Sequence, residues 1–192
     1  VSSSSASPAA RRAILADVIP GERIRDVALV VGFAAVIAIS AQLTFPLPGT
    51  PVRFTAQTFA VLLGAATLGA TRAGIGAGLF LIAGQVGLPW YAHPGGHTLG
   101  YIVGFVAAGL LVGYLARRGF VDRYHSAVAV MAAGNVVIYL CALPVLMAVL
   151  GISLTTAVGV GVVPFLIGDA AKILIATALL PSLQRFVSRV SG

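Results

Sequence analysis

The chain has 192 residues, 59% of them hydrophobic and 9% charged, with a formal net charge of +7. Soluble domains carry roughly 25% charged residues, so the composition indicates an integral membrane protein. It leaves no room for a soluble domain, since six spans of about 20 residues each would consume most of the chain.

The Ser/Ala/Pro-rich segment 1–20 reads as a disordered cytoplasmic tail, with residues 21–192 forming one six-helix membrane domain. A first span is expected from about Val27 to Leu43, followed by an external loop over 44–54 containing Pro46, Pro48 and Pro51. Two shorter runs, Ala56 to Ala70 and Ala73 to Leu88, meet at Thr71-Arg72. Their length points to helices that do not reach both surfaces. An external loop from Pro89 to His97 carries Trp90 and Tyr91 where an interfacial aromatic belt is expected. A fourth span follows at about Leu99 to Leu115 and a fifth at about Ala127 to Val149. The glycine-broken stretch Gly151 to Val163 reads as an external loop or short re-entrant turn. Pro164 then suits the first position of a sixth helix, where a missing N–H costs nothing.

Ten arginines (11, 12, 23, 25, 72, 117, 118, 123, 185 and 189) fall on one side if the spans alternate. By the positive-inside pattern that side is cytoplasmic, and so are both termini. The basic charge therefore orients the protein in a lipid bilayer rather than binding nucleic acid. Arg53 is the one arginine on the other side.

Asp169 and Lys172 interrupt the apolar stretch from Pro164 to Pro181. Such charges cost about 2.5–3.5 kcal/mol each on insertion scales and persist mainly where they face a protein interior or polar ligand. Their i, i+3 spacing puts them on one helix face, able to pair or to grip one ligand together. Starting the helix at Pro164 places them near the outer surface. Asn135 and Tyr139 share a face of the fifth span, Gln57 opens the second helix and Tyr101 opens the fourth. With Trp90 and Tyr91, all map to the same outer half, as a mostly apolar pocket with few convergent polar groups would require. Interhelical hydrogen bonding is the plainer reading of Asn135 and Tyr139.

Other chemistries find little support. Cys141 stands alone, so no intrachain disulfide is possible. His93 and His97 lack a third ligand nearby, and no metal is expected. No phosphate-binding loop is present, so any ATP hydrolysis belongs to partner subunits. Paired carboxylates and a Ser/His/Asp set are absent, and no catalytic residue is assigned. A Ser–Lys hydrolase would need a serine beside Lys172, and none is near it in sequence. Small residues repeat as Ala34-x3-Ala38, Gly74-x3-Gly78, Gly100-x3-Gly104 and Gly109-x3-Gly113, spacings that let helices approach closely in membranes. Most should pack within the bundle, with Ala34 and Ala38 the pair expected to face another protein.

The stretches 50–58 (Thr-Pro-Val-Arg-Phe-Thr-Ala-Gln-Thr), 84–89, 100–105 and 164–172 (Pro-Phe-Leu-Ile-Gly-Asp-Ala-Ala-Lys) together resemble the BioY family. That family is the biotin-specific substrate-binding component of energy-coupling-factor (ECF) transporters. The resemblance runs from about Val27 to Pro181 and implies six helices, cytoplasmic termini, and an outward pocket capped by the first and third external loops. It implies residence in the bacterial cell membrane, with a transmembrane coupling (T) subunit and two ABC ATPases as partners. Ala34 and Ala38 would then meet the coupling subunit. Lys172 would bind the valerate carboxylate, and Asp169 would accept from ureido N–H groups or position Lys172. Gln57, Asn135 and Tyr139 would address ligand oxygens, while Trp90 and Tyr91 would pack on the ring system. Arg53 departs from the family's usual apolar residue or proline and reads as an exposed loop charge or a second carboxylate contact. The alternatives are the same fold with another vitamin, an intramembrane hydrolase, or a scaffold subunit in which the pair is only structural.

Overall fold

The computed structural model describes residues 22–91 and 96–190, with side chains described for 23–91 and 96–182. The expected tail over 1–20 and His93 lie outside the described residues, as do the side chains of Arg185 and Arg189. The described chain forms six long helices: α1 (Glu22–Gln42), α2 (Gln57–Leu68), α3 (Ala70–Gln85), α4 (Leu99–Arg117), α5 (Tyr124–Leu150) and, last in the chain, a helix at Leu166–Val190. A short helix, α6 (Leu154–Gly161), precedes that last one, which is therefore α7. Four segments are long and apolar enough to cross a membrane, those containing α1, α4, α5 and α6–α7. Helices α2 and α3, at 12 and 16 residues, are shorter, as expected from their sequence.

Two junctions differ from expectation. The α2–α3 break falls at Gly69, whose φ of +79° suits glycine, and not at Thr71-Arg72. The stretch expected as a loop before Pro164 contains α6. Gly151 ends α5 in the left-handed conformation, and Ser153 caps α6 by accepting from the Thr156 N–H at 3.3 Å. A capped start outweighs the glycines at 159 and 161. Pro164 sits in a 3-10 turn at Val163–Phe165 that leads into α7.

Helix α4 is central, packing on α5, α3 and α2, while α1 lies against α3 and α2, and α7 against α2 and α5. The glycines of the small-residue repeats, Gly78 excepted, meet a neighbouring helix. A Cβ on Gly100 or Gly104 would come within 2.7 Å of α5 backbone at Ala142 or Ile138. Ala34 and Ala38 correct an expectation: both are buried within the main core rather than turned to another protein. They belong to the α1 face that carries Phe33, whose ring fills the space left by Gly64 and Gly76. The exposed small residues of α1 are Ala28 and Gly32, on the opposite face.

Arginine-bearing turns gather at one end of the bundle. Arg72 bonds Asp26 of α1 at 2.7 and 2.8 Å, and the Arg117 side chain lies over Gly69. The opposite end carries a two-stranded hairpin, β1 (Thr44–Phe45) and β2 (Phe54–Thr55), paired antiparallel with Thr44 opposite Thr55. A second, smaller core of Val52, Tyr139, Leu146, Ala157 and Phe165 seats this hairpin loop on α5 and α6.

Candidate ligand-binding site

At the hairpin end, α2, α5 and α7 converge on one buried carboxylate. Asp169, with its side chain 5% exposed, receives four hydrogen bonds from four other side chains. Lys172 Nζ donates to Oδ1 at 2.9 Å and Thr58 Oγ1 donates to the same oxygen at 3.3 Å. Asn135 Nδ2 donates to Oδ2 at 3.1 Å, and Tyr139 Oη donates to it at 2.5 Å. A carboxylate offers about four lone-pair positions, so Asp169 is saturated by the protein itself. This satisfaction is what makes a buried charge tolerable.

Lys172 is held on three sides. Its Nζ donates to Thr58 Oγ1 at 2.9 Å as well as to Asp169, and it lies 3.7 Å from the centre of the Phe54 ring. Phe54 stacks on Phe165 at 6.3 Å, and its ring occupies the space that a Cβ on Gly168 would need. Phe54 thus brings the hairpin directly onto the ion pair.

Beside this network is a cavity of about 60 Å³, lined by Gln57, Thr58, Tyr91, Tyr101, Tyr139, Asp169 and Lys172 together with apolar Val52, Ile102, Phe105 and Phe165. Arg53, Thr55, His97 and Thr98 complete its polar edge. Tyr101 Oη donates to Gly161 O at 2.7 Å, so the unexpected α6 anchors a residue of the wall. The Tyr101 ring meets Tyr139 edge-on at 6.5 Å. Gln57 is 6% exposed. Its Oε1 accepts from Thr55 Oγ1 at 3.2 Å, while its Nε2 has no protein acceptor. An unpartnered buried donor facing a cavity is a place for a ligand acceptor.

Six of the eight residues expected at the site therefore line the cavity. Asn135 sits behind Asp169 and reaches the cavity only through it. Trp90 is not brought to the cavity; it packs half-buried against the main core. Tyr91 turns inward beside it, with its hydroxyl donating to Leu81 O at 2.6 Å and its ring 5.5 Å from Phe80. Burial raises the Tyr91 phenol's pKa, with the Gln85 amide opposing. Thr58 and Phe54 are the residues sequence reasoning missed. Thr58 stood next to Gln57 as the only further signal. Among the described residues no cluster of three metal-ligating side chains occurs, and no serine lines the cavity.

Residues 9–189 match the family model described as the BioY family. Similar proteins include two named "Biotin transporter BioY". That of Rhizobium etli is 32% identical over 173 residues, covering 81% of this chain and 90% of that protein. That of Thermotoga maritima is 31% identical over 160 residues, covering 80% and 92%. Among solved structures, the S-component for biotin from an ECF-type ABC transporter aligns with a TM-score of 0.77. It covers 87% of this chain and 94% of its own at 18% identity, a likeness of fold.

Proposed function

The chain belongs to the BioY family, and on that premise we propose that it is the biotin-capturing membrane subunit of an ECF-type vitamin uptake transporter. The reading places the hairpin end outward and the arginine-bearing end and both termini at the cytoplasmic face of a bacterial cell membrane. Biotin is captured at the outer face and delivered inward together with a transmembrane coupling subunit and ABC ATPases, which alone hydrolyse ATP. No covalent catalysis is involved.

The observation that carries the proposal is the donor set facing the cavity. Asp169 is saturated, and accepting a ligand N–H there requires displacing one of its four protein donors. The cavity's strongest groups for a ligand are donors: the Lys172 ammonium, the Gln57 amide and Arg53, which has no ion partner among the described residues. Such a site favours a ligand rich in acceptor oxygens, and biotin offers a carboxylate and a ureido carbonyl. Lys172 binds the carboxylate by a charge-assisted hydrogen bond, Gln57 addresses a ligand oxygen, and Asp169 holds Lys172 in place. Phe54 covers the ammonium meanwhile. A cation–π contact of about 0.5–2 kcal/mol is weak enough for a carboxylate oxygen to replace.

The Phe54 ring stands 3.7 Å from the Lys172 ammonium, where a carboxylate oxygen would sit. Entry therefore moves the hairpin and carries Phe54 with it. The coupling subunit's docking face is proposed on the exposed side of α1, where Ala28 and Gly32 permit close approach. The competing vitamins are separated by displacement of labelled biotin from purified protein. Unlabelled biotin should compete and thiamine and riboflavin should not; displacement by either of those instead would overturn the assignment.

A further inference from the structure

We propose that Thr58 is a positioning residue that aims the Lys172 ammonium at the ligand, an inference that rests on the biotin-binding reading above. Asp169 and Lys172 share one helix face, and left alone such a pair closes on itself. Thr58 ties that closed pair to a different helix. Its Oγ1 accepts from Lys172 Nζ at 2.9 Å, and its own proton goes to Asp169 Oδ1 at 3.3 Å. The three groups form a closed triangle with the Lys172–Asp169 contact, itself 2.9 Å, as its third side.

The chemistry of the corner is restrictive. It must accept from an ammonium and donate to a carboxylate through one atom, and it must be short enough to sit at the first turn of α2. Among side chains only a serine or threonine hydroxyl meets all three demands. The triangle takes two of the three ammonium protons, and the Phe54 ring lies over the ammonium from the hairpin side. The nitrogen is thereby fixed where α2, α7 and the hairpin meet, at the cavity edge. Thr58 acts on the ligand through Lys172, and its effect should depend on the ligand's negative charge.

Displacement titrations with biotin and with biotin methyl ester, which lacks the charge, test this. Thr58→Val keeps the side-chain volume and removes both bonds. It should weaken biotin binding about 10-fold, the loss expected for a hydrogen bond to a charged group, and change ester binding less than about twofold. Thr58→Ser should restore biotin binding to within about twofold of wild type. Thr58→Ala, which cannot overpack the site, provides the same comparison should the valine variant fail to fold. Unchanged biotin binding in Thr58→Val, or equal losses for biotin and ester, would overturn the inference and leave the function reading standing. A wild-type protein that binds no biotin would overturn both.

Discussion

The bundle carries an acid–base pair at each end, and the two differ in how far the carboxylate is buried and in what surrounds it. Asp26 and Arg72 join α1 to α3 at the arginine-bearing end, with the carboxylate side chain 48% exposed. Asp169 and Lys172 lie at the hairpin end, with side chains 5% and 14% exposed, and Thr58, Asn135 and Tyr139 complete the carboxylate's shell. Arg72 is as buried as Lys172, at 12% exposed, but water screens the half-exposed Asp26 carboxylate and the pair contributes less. A buried pair is costly unless every lone pair and proton is matched, and here two further helices, α2 and α5, supply the matches. An arrangement so demanding, placed beside a cavity with an unpartnered amide donor, has the character of a site. The other pair is a staple.

Removing the buried carboxylate should have the largest effect. Asp169→Ala strands Lys172 and deprives four donors of their acceptor, so a loss of about 3–5 kcal/mol is expected. Thermal unfolding in detergent measures it, and a loss as small as that of an exposed pair would erase the distinction between the two ends. Tyr139→Phe removes one charge-assisted bond and leaves a neighbour on the same oxygen, so the loss should be about 1.5–3 kcal/mol by the same assay. Asp26→Ala should cost about 1 kcal/mol or less and leave biotin affinity within about twofold. A large loss of affinity there would tie the arginine end to ligand binding, contrary to the separation drawn here.

Much of the hairpin end was legible in the chain. Two charges in an apolar stretch announce a protein-facing helix side, and Pro164 marks where that helix begins. Asn135 and Tyr139 at i, i+4 share a face, and that face meets Asp169. What the chain does not reveal is which distant residue closes the network. Thr58 lies 111 positions from Asp169 and 114 from Lys172, and a threonine opening an apolar helix looks the same with or without a partner. Phe54 is hidden for the same reason, as one apolar residue in a proline-rich loop. Ala34-x3-Ala38 shows the opposite failure. Small-residue spacing marks a close helix contact without saying whether the neighbour is internal, and Phe33 beside it draws that face into the core. In the α5–α7 connection glycine content argued for a loop, while the Ser153 cap decided for a helix.

Lys172, held by Asp169, is proposed as the cation that binds the ligand's carboxylate. Titration of labelled biotin into purified wild-type protein and its Lys172→Ala variant tests it most directly. Saturable binding by the wild type and a loss of 10-fold or more in the variant, about 1.4 kcal/mol or greater, are expected. Undiminished biotin binding by Lys172→Ala would contradict that assignment.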